Sequence, residues 1–141
     1  MKNIWEVFKE FQDAPTNQKI NVLRKNNTPT LRNVLQGAFH PGVQYVIKEL
    51  PEYKRSDAPA GLGYTSIELE MGRMYIFTEG SKRVDPNLKL ARKKVILAQI
   101  MEALEPNEAD VFGRMILKDL KVPGLTYEVV EEAFPDLLPA R

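Results

Sequence analysis

The sequence contains no cysteine and a single histidine, His40. Without a thiol there can be no disulfide framework, no cysteine-ligated zinc and no cysteine nucleophile. With a single imidazole, a histidine cluster for a metal or a Ser-His-Asp relay with a spare base is hard to build. His40 stands directly before Pro41 and Gly42, which favours a turn or packing role for its side chain. We therefore expect no enzyme, no metal site and no cofactor.

Long apolar runs are also missing. No stretch approaches the roughly 18 apolar residues that a membrane span requires. The opening MKNIWEVFKEF mixes charged with aromatic side chains, where a secretion signal would have an uninterrupted apolar core. The lack of cysteine is consistent with a reducing compartment. These features predict a soluble, cytoplasmic protein with no membrane partner.

A strong net charge is the third feature that the sequence lacks, since the balance over 141 residues is only +1. A generic polyanion binder is thereby excluded, and any contact with nucleic acid must come from local clustering. One cluster lies at residues 82–94, which we call the basic segment and in which Asp85 is the only acid. Its cations are Lys82, Arg83, Lys89, Arg92, Lys93 and Lys94. The segment is either a binding surface or one solvated face among alternating charge blocks.

The length and the 43% hydrophobic content suit one compact domain with a real core. Apolar side chains recur at helical spacing after start signals such as Asn3, the pair Thr28 and Pro29, and Pro106. We predict an all-α fold: a single helical domain over residues 1–141, with about seven to nine short helices. Four of these helices fall in the first fifty residues, and the fourth covers residues 43–50.

The middle of the chain is less regular. Residues 51–64 contain two prolines and two glycines and predict an exposed loop. Thr65 with Glu68 resembles a capping box that opens a helix, although residues 74–77 can also be a short strand. Asp85 and Pro86 predict the start of the central helix, whose second half is apolar nearly all round and should be buried against several neighbours.

Residues 110–138 predict two helices joined by a tight turn at residues 121–126, which we call the elbow. The apolar stripe of the first helix consists of Phe112, Met115, Ile116 and Leu120. Pro123 and Gly124 are expected to end that helix, and Thr126 to cap the next one, which closes before Pro135.

The elbow has a possible chemical use. Free amides at the start of the second helix, with Lys118 and Lys121 beside them, can receive a phosphate oxygen. The alternative is an ordinary capped turn in an all-α domain. If the elbow and the basic segment share one face, a single nucleic-acid footprint follows.

Several blocks carry a resemblance. The stretches PTNQKINVLRKNNTPTLRNVL (15–35), HPGVQYVIKELP (40–51), DVFGRMILKDL (110–120) and AFPDLLP (133–139) resemble, in the same order, the all-helical N-terminal DNA-binding domain of phage-type ATP-dependent DNA ligases. The ending GLTYEVVEEAFPDLL is also similar to that of small unannotated proteins of tailed phages.

The resemblance implies a domain that embraces duplex DNA from the minor-groove side, largely through phosphate contacts. Carried over to this chain, it implies Lys121, Gly124, Leu125 and Thr126 as contacts to the DNA backbone. The lysine of the ligase K-x-D-G motif has no counterpart here, so the chain alone cannot ligate.

Two hypotheses on function result, and a third, an unrecognised enzyme, is disfavoured because no convergent polar set is visible. The first is a stand-alone, non-catalytic DNA-binding accessory protein of phage type, which contacts duplex DNA without base readout and acts in the host cytoplasm if it is phage-encoded. Its candidate DNA-binding residues are Lys118, Lys121, Gly124, Leu125, Thr126, Lys82, Arg83, Lys89, Arg92 and Lys93. The second is a protein-interaction module that docks on a phage or host replication or transcription factor, with an exposed apolar patch around Phe134, Leu137 and Leu138.

Overall fold

The chain folds into seven α-helices and two 3₁₀ helices over residues 2–59 and 62–140, the parts that the computed structural model describes. The α-helices are α1 (Ile4–Asp13), α2 (Lys19–Lys25), α3 (Pro29–Phe39), α4 (Ile67–Glu70), α5 (Leu90–Ala103), α6 (Pro106–Ile116) and α7 (Tyr127–Ala133). The 3₁₀ helices are Thr16–Gln18 and Met71–Ile76. These described parts contain no β-strand, and the predicted all-α fold is confirmed.

Several helices begin where their capping residues predict. The backbone N–H of Asn3 donates to the Glu6 carboxylate at 3.1 Å at the start of α1. The Thr28 hydroxyl accepts the N–H of Leu31 at 3.2 Å before α3, and the Thr126 hydroxyl accepts the N–H of Val129 at 3.3 Å before α7. Local chemistry alone therefore positions these three starts.

The central helix is α6. It packs against α1, α3, α4 and α5, and most of its residues are buried, including Phe112 and Met115 with no exposed surface. The prediction that the helix ending near Leu104 would be central is wrong, since α5 packs mainly on α6 and leaves Val95 44% exposed. The prediction assumed that a helix that is apolar nearly all round is also buried on all sides.

The start of α5 also differs from the prediction. The helix begins at Leu90 rather than at Asp85. The Asp85 carboxylate accepts the N–H of Asn87 at 2.9 Å, and the Asp85 carbonyl accepts the N–H of Leu88 at 2.9 Å. This aspartate turn competes with helix formation, so residues 82–89 remain outside the helix.

Residues 43–50 do not form the predicted fourth helix. The chain there runs beside the end of the second 3₁₀ helix: the N–H of Val46 donates to the Phe77 carbonyl and the N–H of Glu79 to the Gln44 carbonyl, each at 2.8 Å. Tyr45 forms an isolated antiparallel bridge with Thr78. Alternate burial explains the error, because Tyr45 and Ile47 are buried while Val46 between them is only half-buried, a period of two. The alternative strand at residues 74–77 does not form either, since residues 74–76 are 3₁₀ helix and Phe77 lies in a turn.

The loop predicted at residues 51–64 contains no helix at 51–59 or 62–64, while residues 60 and 61, like residues 1 and 141, lie outside the described residues. Lys54 donates its N–H to the Glu102 carboxylate at 2.8 Å, which ties the loop to α5. The expected capping box is one residue off: the Ser66 hydroxyl, not Thr65, caps α4 by accepting the N–H of Leu69 at 3.3 Å.

Candidate nucleic-acid interface

The connection from α6 to α7 is longer than the sequence predicted. Helix α6 ends at Ile116, not at the elbow. Lys118 has a φ of 61°, its N–H donates to the Met115 carbonyl, and the N–H of Asp119 donates to the Arg114 carbonyl, each at 3.0 Å. These two bonds form a Schellman motif with a lysine in the position that usually holds glycine. The expectation that Pro123 and Gly124 end this helix is therefore wrong.

The Lys118 side chain is half-buried and bonds to the protein itself rather than to solvent. Its ammonium donates to the carbonyl oxygens of Gly37, His40 and Val43 at 3.2, 2.8 and 2.7 Å. The Tyr45 ring lies 5.9 Å away, and burial lowers the pKa of Lys118 to about 8. An ammonium has three donors, and all three are used. Its assignment as a DNA contact stays a prediction, but the side chain has no donor to spare for a phosphate.

Lys121 has the opposite character. Its backbone also lies in the left-handed region, with a φ of 54°, and its N–H donates to the Asp119 carboxylate at 3.1 Å. The side chain is exposed, and its ammonium has no bonding partner within the described chain. A left-handed lysine is strained, and such strain is common at functional sites.

The other elbow residues divide between surface and core. Gly124 is exposed with a φ of 82°, a conformation that suits glycine, and the side chain of Lys19 lies beside it. Leu125 is 8% exposed and gives its N–H to the Val122 carbonyl at 3.0 Å. The exposed Thr126 caps α7 through its hydroxyl. Among the candidate elbow contacts, Lys121, Gly124 and Thr126 are thus the solvent-facing ones.

Two clefts flank the elbow and share Leu120, Lys121 and Val122 as a common wall. The first, of about 310 Å³, opens toward the end of α3 and is also lined by Lys118 and Asp119. The second, of about 190 Å³, lies between α1 and α6, and we call it the α1–α6 cleft. The side chains that line the α1–α6 cleft besides that wall are Trp5, Phe8, Lys9, Gln12, Asn107, Asp110, Val111 and Arg114. Sequence reasoning missed this cleft, because its residues are brought together only by packing.

The basic segment contains cations that are free of ion pairs within the described chain. Lys82, Arg83, Lys89 and Arg92 are exposed, and Lys93 is half-buried. The Arg83 guanidinium lies 4.1 Å from the centre of the Tyr75 ring, a cation–π contact.

No acid pairs with any cation of the basic segment in the described parts of the chain. The ion pairs found there all lie elsewhere: Lys2 and Lys25 with Glu10, Lys48 with Glu79, Arg55 with Asp110, and Arg73 with Glu70. Asp85, the one acid of the segment, is engaged by its own turn. The segment therefore presents uncompensated positive charge.

Glu79, three residues before the basic segment, and the Lys118 side chain both contact residues 43–44. The Lys118 ammonium is 2.7 Å from the Val43 carbonyl, and the N–H of Glu79 is 2.8 Å from the neighbouring Gln44 carbonyl. Lys82 follows Glu79 by three residues, so their Cα atoms are at most about 11 Å apart. Residues 43–44 thus contact both the Lys118 side chain and the segment that leads into the basic segment.

The expected apolar patch at the end of the chain is not exposed. Phe134, Leu137 and Leu138 are 7%, 7% and 5% exposed, because the tail folds back onto the core. The Tyr127 hydroxyl donates to the Pro139 carbonyl and fixes that return. The patch prediction is therefore wrong. Large exposed apolar side chains occur instead at Leu62, Tyr64 and Leu69.

Of the buried carboxylates, Glu105 serves the fold. Glu105 is 1% exposed and caps α6 by accepting the N–H groups of Asn107 at 2.9 Å and Glu108 at 3.2 Å. Burial, and then the charge of Glu105, raise the pKa of Glu108. His40 accepts the N–H of Gly42 through Nδ1 at 2.9 Å, as expected of a turn residue. Across residues 2–59 and 62–140, no His, Asp and Glu side chains group as a metal site would require.

The fold and these features define a small all-α protein with a basic segment that is unpaired in the described residues and two left-handed lysines in the connection from α6 to α7. None of its described helices combines the length and the apolar character needed to cross a membrane. The chain belongs to DUF6433, a family of unknown function, whose model matches residues 7–122. The match includes the basic segment, α6 and Lys121, and it ends before Gly124. A comparison with curated proteins finds no match.

Proposed function

We propose that the protein is a non-catalytic DNA-binding accessory protein of phage type, which contacts the backbone of duplex DNA without reading its bases. The observation that carries the proposal is the basic segment, with six cations that no acid in the described chain pairs. Unpaired surface cations bind DNA by displacing the counterions condensed on its phosphates. Cations already held in ion pairs gain less from such an exchange.

The position of the cations also supports backbone contact rather than base readout. Lys82 and Arg83 lie in a turn, Lys89 is the extended N-cap residue of α5, and Arg92 and Lys93 lie in the first turn of that helix. Specific readout usually needs a helix or ribbon that enters a groove with several side chains aimed at base edges. A set of lysines and arginines spread over a turn and a helix start suits phosphates, which carry no sequence information.

The elbow provides a second, smaller support. Lys121 is exposed and unpaired in the described chain, and it lies on the connection whose first lysine reaches the turn near the start of the basic segment. The resemblance of residues 15–35, 40–51 and 110–120 to the DNA-binding domain of phage-type ligases points to the same function. We do not include Lys118 in the proposed surface, because its ammonium is already used.

The proposal is tested by fluorescence anisotropy of labelled duplexes with two unrelated sequences. The wild-type protein is expected to bind both duplexes equally. Arg92→Glu combined with Lys93→Glu should weaken both affinities by roughly tenfold or more, because phosphate contacts act uniformly across sequences.

The matched control is Arg32→Glu, a charge reversal at an exposed arginine of α3 outside the basic segment and the elbow. It should leave the affinity within about twofold of the wild type, because it removes no cation of the proposed surface. The control changes the net charge by two units and the double variant by four, so a loss in Arg32→Glu that is half that of the double variant on a logarithmic scale would show that only net charge matters. Absence of binding at low salt would refute the proposal.

A protein-interaction module remains the second candidate, and one observation favours it. Leu62 is 71%, Tyr64 93% and Leu69 71% exposed, an unusual concentration of large apolar side chains within eight residues. This candidate predicts that a partner identified by pull-down and mass spectrometry binds the wild type but not Leu69→Ser. A partner retained equally by Leu69→Ser would exclude this surface.

A further inference from the structure

The α1–α6 cleft combines two kinds of side chain. Its mouth carries three exposed cations, Lys9, Arg114 and Lys121, which come from α1, α6 and the elbow. Its walls include Trp5 and the buried Phe8. A cleft with an apolar wall and a few converging polar groups is the usual form of a small-ligand site.

The charge at the mouth is positive and available. None of the three cations is ion-paired to an acid in the described residues. The one acid in the lining, Asp110, is held by the Arg55 guanidinium through bonds of 2.6 and 3.3 Å. An anionic group at the mouth would therefore meet cations without a competing free carboxylate from the lining.

The walls also provide groups that suit a flat polar ring. The half-buried Trp5 side chain lines the cleft, and so do the side chains of Gln12 and Asn107, which carry amides. An aromatic ring and two amides match what proteins use to stack on a nucleobase and to bond its edge.

The size of the cleft limits the ligand. A cavity of about 150 Å³ holds a benzene ring, so a cleft of about 190 Å³ has room for one base but not for a whole nucleotide. The sugar and the phosphate would have to remain at the mouth, where the cations lie.

We propose that the α1–α6 cleft binds one nucleotide, with the base against Trp5 and the phosphate at Lys9, Arg114 and Lys121. The nucleotide is either a free nucleoside monophosphate or an unpaired residue of a DNA strand. The site does not depend on the basic segment, so it stands whether or not the protein binds duplex DNA.

The single tryptophan of the chain makes the test direct, because all tryptophan fluorescence comes from Trp5. The protein is titrated with thymidine monophosphate, thymidine, inorganic phosphate and a short oligothymidylate. Saturable quenching by the monophosphate is expected, with thymidine and phosphate each at least tenfold weaker. Tighter binding of the oligonucleotide would identify the source as a DNA strand, and equal binding per site would identify it as the free nucleotide.

Two variants at the mouth check the location. Arg114→Gln and Lys9→Gln should each weaken quenching by the monophosphate by tenfold or more, while circular dichroism confirms that both are folded. Arg92→Gln, on α5, should titrate like the wild type, although it weakens duplex binding if the proposed function holds. Failure of nucleotide binding is thereby separated from failure of duplex binding.

The proposal is overturned if neither the monophosphate nor the oligonucleotide gives a saturable change. It is also overturned if inorganic phosphate binds as well as the nucleotide, or if Arg114→Gln and Lys9→Gln titrate like the wild type.

Discussion

Lys118 and Lys121 are three positions apart on one connection, yet they have opposite roles. The ammonium of Lys118 bonds three carbonyl oxygens around the end of α3, where a helix presents partial negative charge. Lys121 sends its ammonium to solvent. The two lysines look equivalent in the sequence, and only the packing of α3 against α6 distinguishes them.

This difference predicts unequal effects on stability. Lys118→Met should reduce the free energy of unfolding by about 2–3 kcal/mol, because it removes charge-assisted bonds and leaves carbonyl oxygens without their donor. Lys121→Met should change it by less than about 0.5 kcal/mol, as is usual at exposed sites. Urea denaturation of both variants measures the difference, and equal losses would contradict the assigned roles.

The left-handed backbone of Lys121 predicts that two substitutions at this position differ in stability but not in DNA binding. A side chain at a φ of 54° is strained and glycine is not, so Lys121→Gly should be more stable than Lys121→Ala by about 1 kcal/mol. Both variants lack the ammonium and should lose the same duplex affinity. Thermal unfolding and anisotropy test the two halves separately. If the alanine variant is the more stable one, the backbone is not strained there.

Glu108 predicts a dependence of stability on pH. Burial, together with the charge of Glu105, raises the pKa of Glu108 in the folded protein above its ordinary value of 4.5. The folded state therefore binds this proton more tightly than the unfolded chain does. The stability contribution is full below about pH 4.5 and declines as the pH rises through the folded pKa.

Glu108→Gln should accordingly be more stable than the wild type at pH 7, with a difference that shrinks as the pH falls toward 4.5. Urea denaturation at several pH values measures it. The exposed Glu49→Gln is the control and should show no such trend. A gain that does not vary with pH would indicate a packing effect instead of a proton effect.

At the scale of helices, the junction between α5 and α6 is held by the loop that crosses it. A Cβ atom on Gly63 would lie 2.7 Å from the Glu105 backbone nitrogen and 3.2 Å from the Ala103 oxygen. The N–H of Thr65 also donates to that Ala103 oxygen at 3.2 Å. The close approach of backbone to backbone requires glycine here.

Gly63→Ala should therefore destabilise the protein by about 1–3 kcal/mol. The added Cβ would clash with backbone atoms, which cannot move aside as the end of a flexible side chain can. Gly72→Ala is the matched control, since no described atom lies within 4 Å of its added Cβ. That variant should lose less than about 0.5 kcal/mol in the same denaturation experiment. Equal losses in the two variants would mean that the loop does not pack on the junction.

The helices that the sequence predicts well are those with strong local signals. The starts of α1, α3 and α7 follow from Asn3, Thr28 and Thr126, and the stripe of α1 is buried as its spacing implies. Residues 43–50 and the start of α5 were mistaken because pairing with a distant segment and an aspartate turn outweigh helical periodicity.

At the scale of the whole molecule, the candidate binding sites also divide into one with a local sequence signal and one that depends on contacts between distant segments. The basic segment is contiguous in sequence and could be predicted, although its turn conformation could not. The α1–α6 cleft joins Trp5 and Lys9 to Arg114 and Lys121, about a hundred residues later in the chain, so no local pattern reveals it. The apolar tail was misjudged for a similar reason, because α7 and its return onto the core decide its burial.

The net charge of the whole chain and the local charge of the basic segment have different consequences for DNA binding. A balance of +1 gives no general attraction for DNA, and the free cations of residues 82–94 make a local one. The central claim is that these cations neutralise phosphates. Such binding weakens with salt by about 0.9 logarithmic units of affinity, per logarithmic unit of salt, for each phosphate contact.

The most direct test is the salt dependence of duplex affinity for the wild type and for the triple variant Lys82→Gln, Arg92→Gln and Lys93→Gln. We predict a steep, linear loss of affinity for the wild type. In the triple variant, the slope of log affinity against log salt concentration should be smaller by roughly 2–3, because each removed cation is expected to lose one phosphate contact. An unchanged slope in the triple variant, or no binding of the wild type at low salt, would contradict the account.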